Sequence, residues 1–273
     1  MTTYDPLTLL FWAWIAMAAW MVVLWLVELV QRNASLVDAG WCFGLVAVVA
    51  GYGWFATGEV ERKLLLVVMV SVYGLRLGGY ILLNRVIGKT EDQRYQRLRR
   101  DWRLSEPLRM FGYFQLQAAA VVLFSLPFLA VVQNPRPPFS LWELAGVMVW
   151  MIGIVGESLA DRQLAGFRAK PWNHDRVCRD GLWFFSRHPN YFFEWVHWWA
   201  YVVMAIGSPG WWLTWIGPVV MGVALVRITG IPWAEEQAIR TRGDDYRRYQ
   251  ETTNAFIPWW PKTGQSSSAP FKN

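Results

Sequence analysis

Long runs of apolar residues, separated by short polar segments, dominate the chain. Seven of these runs approach or exceed the roughly 20 residues that cross the core of a bilayer; they lie near residues 8–30, 36–57, 64–84, 111–133, 141–160, 190–206 and 209–229. The first run has no basic leader and is too long for a signal-peptide core, so we expect a retained helix. The pattern predicts an all-α polytopic membrane protein with about seven transmembrane helices, with six or eight as alternatives.

The C-terminal part of the pattern predicts a helical hairpin and a surface helix. The last two apolar runs are separated only by the turn sequence Gly-Ser-Pro-Gly at 207–210. Residues 233–250 then have the pattern of a short amphipathic helix on the cytoplasmic side, and NAFIPWWP at 254–261 is suited to the membrane surface. We expect residues 1–262 to form a single transmembrane domain and the Ser-rich residues 263–273 a disordered tail.

The composition favours a membrane protein and excludes several other classes. Hydrophobic residues make up 55% of the chain and charged residues only 17%, whereas soluble domains carry about a quarter charged residues. The high apolar content also excludes intrinsic disorder. Cys42, Cys178 and the three histidines have neither the number nor the spacing of a disulfide scaffold or a zinc site, so we expect no metal.

The basic residues fall mainly on one side of the predicted spans. With an external N-terminus, the cytoplasmic segments are 31–35, 85–110, 161–189 and 230–273, which contain one, eight, six and six basic residues. These are 21 of the 26 Lys and Arg residues, against three on the opposite side and two inside spans. Positively charged loops stay in the cytoplasm, so the asymmetry predicts a cytoplasmic C-terminus. It also accounts for the net charge of +6 without a nucleic-acid partner.

Polar residues inside the third span share one helical face. Such residues are costly in lipid and usually face a bundle interior or a wet cavity. They are spaced by three, four and four positions: Tyr73, Arg76, Tyr80 and Asn84. The stripe is either a structural seam between helices or the lining of a site for an anion or a polar cofactor. We favour the site, because an arginine lies between two tyrosines.

Two further spans carry charged or polar residues at helical spacing, namely Glu157, Asp161 and Arg168 in the fifth, and Asn190, Glu194 and His197 in the sixth. The first set is either a group of ordinary interfacial charges or part of a polar site. The second set follows Arg-His-Pro at 187–189, and a helix N-terminus at this position favours anions. His197 taken alone is more typical of a packing residue than of a catalyst.

Acidic and aromatic residues near the cytoplasmic ends of the helices are additional candidates. Asp38, just inside the second span, is either a helix cap or a buried proton donor. Glu235 and Tyr246, on the predicted surface helix, would close the cytoplasmic mouth of a cavity near Arg227. No GxGxxG, GxxxxGK[ST], HExxH or GxSxG motif is present. An anionic cofactor would therefore be held by side chains of the helices and loops.

Two C-terminal motifs resemble a known family. GLWFFSRHPNYFFEW (residues 181–195) and the pattern EE…Y..Y…FIP (residues 235–258) are similar to the C-terminal half of membrane steroid 5α-reductases. They are also similar to sterol reductases and isoprenylcysteine methyltransferases. The pattern Y-x2-R-x3-Y-x3-N-R (residues 73–85) resembles the 5α-reductase branch in particular. The similarity covers roughly residues 35–260 and is greatest to a bacterial, seven-span type.

The chain departs from the pattern of that family at three positions. Glu157 stands where an asparagine is expected, and Asp38 stands where a longer glutamate is expected. Val86 follows Arg85 where a second basic residue is expected.

The resemblance implies an NADPH-dependent oxidoreductase that reduces the Δ4 double bond of a 3-oxo-Δ4 steroid. It also implies an apolar substrate that enters from lipid, a bacterial inner-membrane location and no obligate protein partner. Tyr73 and Asp38 would hold the substrate carbonyl. The cofactor would contact a larger set of residues: Arg76, Tyr80, Arg109, Glu157, Asp161, Arg168, Arg176, Asn190, Glu194, Arg227, Glu235 and Tyr246.

Two other functions remain open. The first is an S-adenosylmethionine-dependent methyltransferase of the isoprenylcysteine type, because the Arg-His-Pro-Asn and Glu-Glu regions are similar in both groups. The second is a non-enzymatic lipid or sterol carrier in which the polar stripes are only structural. A dinucleotide with several phosphates requires several arginines, so Arg76, Arg168, Arg176 and Arg227 favour the reductase.

Overall fold

The computed structural model describes residues 3–102 and 105–262, which are helical apart from their connections and one isolated bridge between Tyr4 and Ala56. The α-helices are α1 (Pro6–Gln31), α2 (Leu36–Phe55), α3 (Val60–Ile81), α4 (Gln93–Trp102), α5 (Glu106–Val132), α6 (Leu141–Arg168), α7 (Leu182–Phe185), α8 (Pro189–Met204), α9 (Ile216–Val223) and α10 (Ile231–Thr252). Turns of π-helix follow α3 and α9, at Leu82–Val86 and Ala224–Ile228. The predicted all-α class is confirmed, and the predicted tail at 263–273 lies outside the described residues.

Among the described residues, six helical stretches are long and apolar enough to cross a membrane. They are α1, α2, α3 with its π turn, α5, α6 and the stretch Trp211–Thr252. The protein is therefore a multi-pass integral membrane protein. The predicted span at 190–206 corresponds to α8, which has only 16 residues, about 24 Å of helix against a hydrocarbon core of about 30 Å. The predicted count of seven spans is thus approximate.

The last predicted span and the predicted surface helix both contain a break. Residues 211–229 form a 3-10 turn (Trp211–Trp215), the short helix α9 and a π turn. The surface helix is present as α10, and its backbone bends at Gly243, where φ is 50°. Glycine adopts this positive φ without steric cost, so the bend is encoded by the sequence.

The chain divides into two compact units. Unit 1 comprises Met1–Ala145 and Tyr201–Gly217, and unit 2 comprises Gly146–Ala200 and Pro218–Asn273. The single domain expected over 1–262 stays a prediction.

Close helix packing organises unit 1. Helix α2 packs against α1, α3 and α5. A Cβ atom added at Gly74 of α3 would collide with Val46 of α2, and one at Gly78 would collide with Phe43. Small residues let membrane helices approach closely and gain van der Waals contact. The two glycines therefore hold α3 firmly against α2.

Close contacts also organise unit 2. Gly153 and Gly156 of α6 leave room for His197 and Phe193 of α8, because a Cβ at either glycine would overlap those residues. The segment before α8 is bonded to the chain after α10: Ser186 Oγ donates to the Phe256 carbonyl at 2.9 Å. These contacts fix the Arg-His-Pro-Asn segment between α6 and α10.

Candidate functional site

Asp161 of α6 and Asn190 of α8, two residues of the predicted cofactor set, lie together in unit 2. The Asn190 amide donates a hydrogen bond to Asp161 Oδ1 at 3.2 Å. The other polar atom of that amide, Asn190 Oδ1, is buried and accepts no hydrogen bond from any part of the chain that the structure describes. Buried polar atoms nearly always have a partner, so an acceptor of this kind is suited to a ligand donor.

Three further polar residues of unit 2 are buried between its helices. Glu157 is 4% exposed and Glu194 is 7% exposed. The carboxylate of Glu194 accepts a hydrogen bond from Trp198 Nε1 at 3.3 Å. His197 is fully buried, and its Nδ1 lies 2.7 Å from the Glu194 carbonyl on the same helix. A carbonyl only accepts, so the hydrogen bond requires a proton on His197 Nδ1.

Glu235, predicted to contact the cofactor, is held by several neighbours in unit 2. Arg187 Nε donates to Glu235 Oε1 at 2.7 Å, and Gln250 donates to Oε2 at 2.8 Å. The Tyr246 hydroxyl and His188 Nε2 lie 3.5 and 3.4 Å from Oε1. We name these five residues the Glu235 cluster; it joins the segment before α8 to both halves of α10.

His188 is neutral within this cluster. Burial lowers the pKa of its imidazole, and the nearby Arg187 charge acts in the same direction, although the carboxylate of Glu235 partly opposes both. Its ring stacks on that of Tyr191, with 5.4 Å between ring centroids and 6° between planes. The cluster therefore pairs one carboxylate with one guanidinium.

The predicted cofactor arginines of unit 2 are exposed. Arg168 ends α6, Arg176 lies in the loop that follows, and Arg227 lies in the π turn after α9. The Arg176 carbonyl accepts a hydrogen bond from Arg242 Nε at 2.9 Å. This contact uses the backbone of Arg176 and not its guanidinium group. Exposed guanidinium groups can bind phosphate through paired N–H donors.

In unit 1, the predicted stripe of α3 passes from buried to exposed. Tyr73 is 1% exposed, Arg76 is half-buried and Tyr80 is 41% exposed. Asn84 lies in the π turn, where its amide donates to the Tyr80 carbonyl at 2.9 Å. The π turn inserts an extra residue, so a regular helical face ends before Asn84. Arg109, at the start of α5, is exposed.

Asp38 is an ion-paired carboxylate in the first turn of α2. Arg94 donates to its Oδ2 at 2.8 Å, and the Tyr95 hydroxyl donates to its Oδ1 at 2.6 Å. Burial raises the pKa of Tyr95, and the charge of Asp38 raises it further. Both oxygens of Asp38 thus accept from side chains of α4, so the carboxylate links α2 to α4.

Gly74 of α3 lies against Val46 and the Cys42 carbonyl of α2, so the neighbouring Tyr73 lies near the level of residues 42–46. Asp38 lies one to two turns from that level along α2, where its carboxylate is engaged with Arg94 and Tyr95 of α4.

Several residues that organise the two units were missed by sequence reasoning. Arg94, Tyr95 and Arg99 belong to a basic segment that was interpreted only as a topology signal. Arg99 donates to three carboxylates, those of Glu28, Glu91 and Glu106. Arg187 belonged to a motif already noted, but nothing in the local pattern assigned its partner Glu235, 48 residues away.

The chain has a relative of similar length and belongs to a family found by sequence comparison. It is 26% identical over 279 residues to the uncharacterized protein C594.04c of Schizosaccharomyces pombe, and the match covers 86% of this chain and 76% of that protein. No solved structure matches the chain. Residues 24–253, which cover most of both units, match the family described as "Protein of unknown function (DUF1295)". The chain belongs to the DUF1295 family.

Proposed function

We propose that the protein is an NADPH-dependent membrane reductase that acts on the Δ4 double bond of a 3-oxo-Δ4 steroid. Two observations made on the sequence support this assignment: the motif at residues 181–195 and the polar stripe at residues 73–85. The DUF1295 family is also grouped within the steroid 5α-reductase-like superfamily.

The observation that carries the proposal is the buried acceptor of Asn190 beside Asp161. Asn190 donates to the carboxylate through its nitrogen and keeps Oδ1 for another donor. A nicotinamide carboxamide or a ribose hydroxyl provides such a donor, and a carboxylate nearby accepts a second one. The residues present therefore fit the polar, uncharged part of a dinucleotide.

The exposed arginines of unit 2 fit the charged part of the same cofactor. Arg168, Arg176 and Arg227 present guanidinium groups at the ends of α6 and α9 or in the adjoining loop. NADPH carries a pyrophosphate and a 2′-phosphate, and guanidinium groups bind phosphate oxygens in pairs. The Glu235 cluster has a supporting role in this proposal, since its carboxylate already holds Arg187 in place.

The chemistry assigns the substrate oxygen to Tyr73. A bound NADPH would supply the hydride for the β-carbon of the enone, and negative charge would then develop on the ketone oxygen. A proton added at the α-carbon would complete the reduction. A phenol that donates a hydrogen bond to this oxygen stabilises the charge, and Tyr73 is a buried phenol of unit 1. Asp38 acts indirectly, because its carboxylate is bonded to Arg94 and Tyr95.

The activity is tested on the purified full chain in detergent. We expect NADPH to be oxidised only when testosterone or progesterone is present, with formation of the 4,5-reduced product by mass spectrometry. Absence of NADPH oxidation, together with transfer of a labelled methyl group from S-adenosylmethionine, would establish the methyltransferase instead. Absence of both reactions would favour a carrier.

We also propose a bacterial inner-membrane location with the N-terminus outside and the C-terminus in the cytoplasm. The 21-to-3 distribution of basic residues supports this orientation. Single-cysteine labelling tests it, because the native Cys42 and Cys178 are buried. A membrane-impermeant maleimide added to intact spheroplasts should label Glu59→Cys and should not label Lys262→Cys. The opposite labelling pattern would reverse the orientation.

A further inference from the structure

Unit 1 contains an apolar cavity at the end of α1, the start of α2 and the end of α3. Its volume is about 510 Å³, which is within the range of ligand sites. The walls are almost entirely apolar, including Leu24 and Val27 of α1, Phe43 of α2 and Val86 of the π turn. Gln31 adds the one amide, at the end of α1. None of these residues belongs to the proposed reductase site.

A close α1–α2 contact and the π turn after α3 bound this cavity. Trp20 Nε1 donates to the Gly40 carbonyl at 3.0 Å, and a Cβ at Gly40 would collide with Leu24, so α1 and α2 touch closely there. Helix α3 then widens into the π turn, where the Ile87 N–H donates to the Leu82 carbonyl at 2.9 Å. Such local widening of a helix often marks a functional site.

Two loops form a fixed rim at one end of the cavity. The Asn33 amide donates to the Lys89 carbonyl at 3.3 Å, and the Ala34 N–H donates to Glu91 at 2.7 Å. The Asp92 N–H donates to Ser35 Oγ at 2.9 Å. These bonds hold the loop before α2 against the loop before α4.

The rim presents positive charge. Arg85 and Lys89 flank the lining residues Val86 to Gly88 in sequence and carry exposed side chains. Asp92 lies near enough to Arg85 to feel its charge, but Asp92 pairs with Arg94, and Glu91 pairs with Arg99. Because each of these acidic residues is paired with an arginine of α4, Arg85 and Lys89 leave the rim with a net positive charge.

We propose that this cavity binds an anionic phospholipid, with one acyl chain between the helices and the phosphate at Arg85 and Lys89. The spans are embedded in lipid, so an open apolar groove between them is in contact with acyl chains. Basic sites between transmembrane helices on the cytoplasmic side recognise anionic head groups, and the basic-residue distribution predicts that side here. The site is distinct from the proposed reductase function and does not depend on it.

Native mass spectrometry of the purified full chain tests the proposal. The protein is mixed with equal amounts of a phosphatidylglycerol and a phosphatidylcholine that have the same acyl chains. We expect preferential retention of one phosphatidylglycerol. Lys89→Gln should reduce that preference about fivefold, since one basic residue contributes about this factor. Arg100→Gln, which removes an exposed charge on α4, should leave the preference unchanged.

A second pair of variants tests the apolar part of the cavity. Val27→Trp places a ring in the groove and should lower retention about tenfold by displacing two or more methylenes. Val23 lies one turn away, at a lipid-exposed position outside the lining. Val23→Trp should therefore leave lipid retention unchanged. Equal retention of both lipids, equal effects of the two tryptophans, or replacement of the lipid by testosterone would overturn the proposal. If Val27→Trp does not fold, the Lys89→Gln and Arg100→Gln pair alone decides the outcome.

Discussion

Arg62 and Glu143 form an ion pair whose side chains are only 0% and 1% exposed. The same guanidinium donates to the carbonyls of Asn134 and Arg136. Each of its three nitrogens therefore donates a hydrogen bond. The pair joins the start of α3 to the start of α6 inside unit 1. By sequence alone, Arg62 is one of three basic residues on the external side of the predicted spans. Its burial shows that one of those three charges is structural.

Removal of either partner of this pair should destabilise the protein strongly. Arg62→Met or Glu143→Leu leaves a buried charge without its partner, which costs about 3–5 kcal/mol. The double variant should cost less than the sum of the two single variants. Thermal unfolding in detergent measures all three, with the exposed Glu61→Gln as a control that stays within about 0.5 kcal/mol of the parent. Additive effects would show that the two residues do not interact.

Glu235→Gln should destabilise unit 2 by about 1.5–3 kcal/mol, because the charged acceptor of Arg187 is lost. Its neighbour Glu236 provides a matched control: it is exposed and pairs with exposed Arg240, so Glu236→Gln should have an effect below about 1 kcal/mol. Thermal unfolding and NADPH binding are measured together. Loss of NADPH affinity with unchanged stability would instead make Glu235 a direct cofactor contact, as the sequence predicted.

The substrate and cofactor roles should separate in two variants. Tyr73→Phe removes the donor to the ketone oxygen and should lower kcat about 10²–10³-fold, with little change in the Kd for NADPH. Arg168→Ala removes a phosphate contact and should raise that Kd about ten- to a hundredfold. Steady-state kinetics and NADPH titration measure the two effects. Arg162→Ala is the control, since Arg162 is exposed on the same helix and donates to the Ser158 carbonyl one turn earlier.

A reversed result would contradict the assigned roles. Weaker NADPH binding in Tyr73→Phe with unchanged kcat would place Tyr73 at the cofactor. A lower kcat in Arg168→Ala with unchanged NADPH affinity would remove Arg168 from the phosphate site.

The loop that holds Asp38 should be sensitive to acid. Burial tends to raise the pKa of Asp92, but the hydrogen bonds and charge of Arg94 outweigh it, so the pKa lies below the ordinary value. A lowered pKa in the folded state stabilises the protein above the unfolded pKa of about 4, and this stabilisation is lost as the pH falls further. The stability difference between the parent and Asp92→Asn should therefore be constant near neutral pH and shrink below about pH 4.

Asp101 provides the control for this pH dependence. It lies exposed on α4, so Asp101→Asn should change stability little at any pH. Chemical unfolding in detergent at a series of pH values measures both variants. A stability difference that grows as the pH falls would contradict the assigned ion pair.

The helices themselves were predictable from the sequence, because in lipid each backbone must satisfy its hydrogen bonds within its own segment. The predicted spans at 8–30 and 36–57 lie within two residues of α1 and α2. The surface helix expected at 233–250 is present as α10. Spacing on one helix also placed Tyr73 and Arg76 on a common face, because helical geometry is local. The same spacing was less accurate for Asn84, because the π turn there adds a residue and shifts Asn84 from the face of a regular helix.

The partners of the buried charges were decided only by the tertiary structure. Glu143 lies 81 residues from Arg62, Arg94 lies 56 from Asp38 and Glu235 lies 48 from Arg187. The free energy of a buried charge depends on which carboxylate or guanidinium the packing of other helices brings within hydrogen-bond distance. That distance is set by close approaches such as those at Gly74 and Gly153. The sequence alone determined that this chain would be helical and embedded in membrane; helix packing decided which of its polar residues support the structure and which remain available to a ligand.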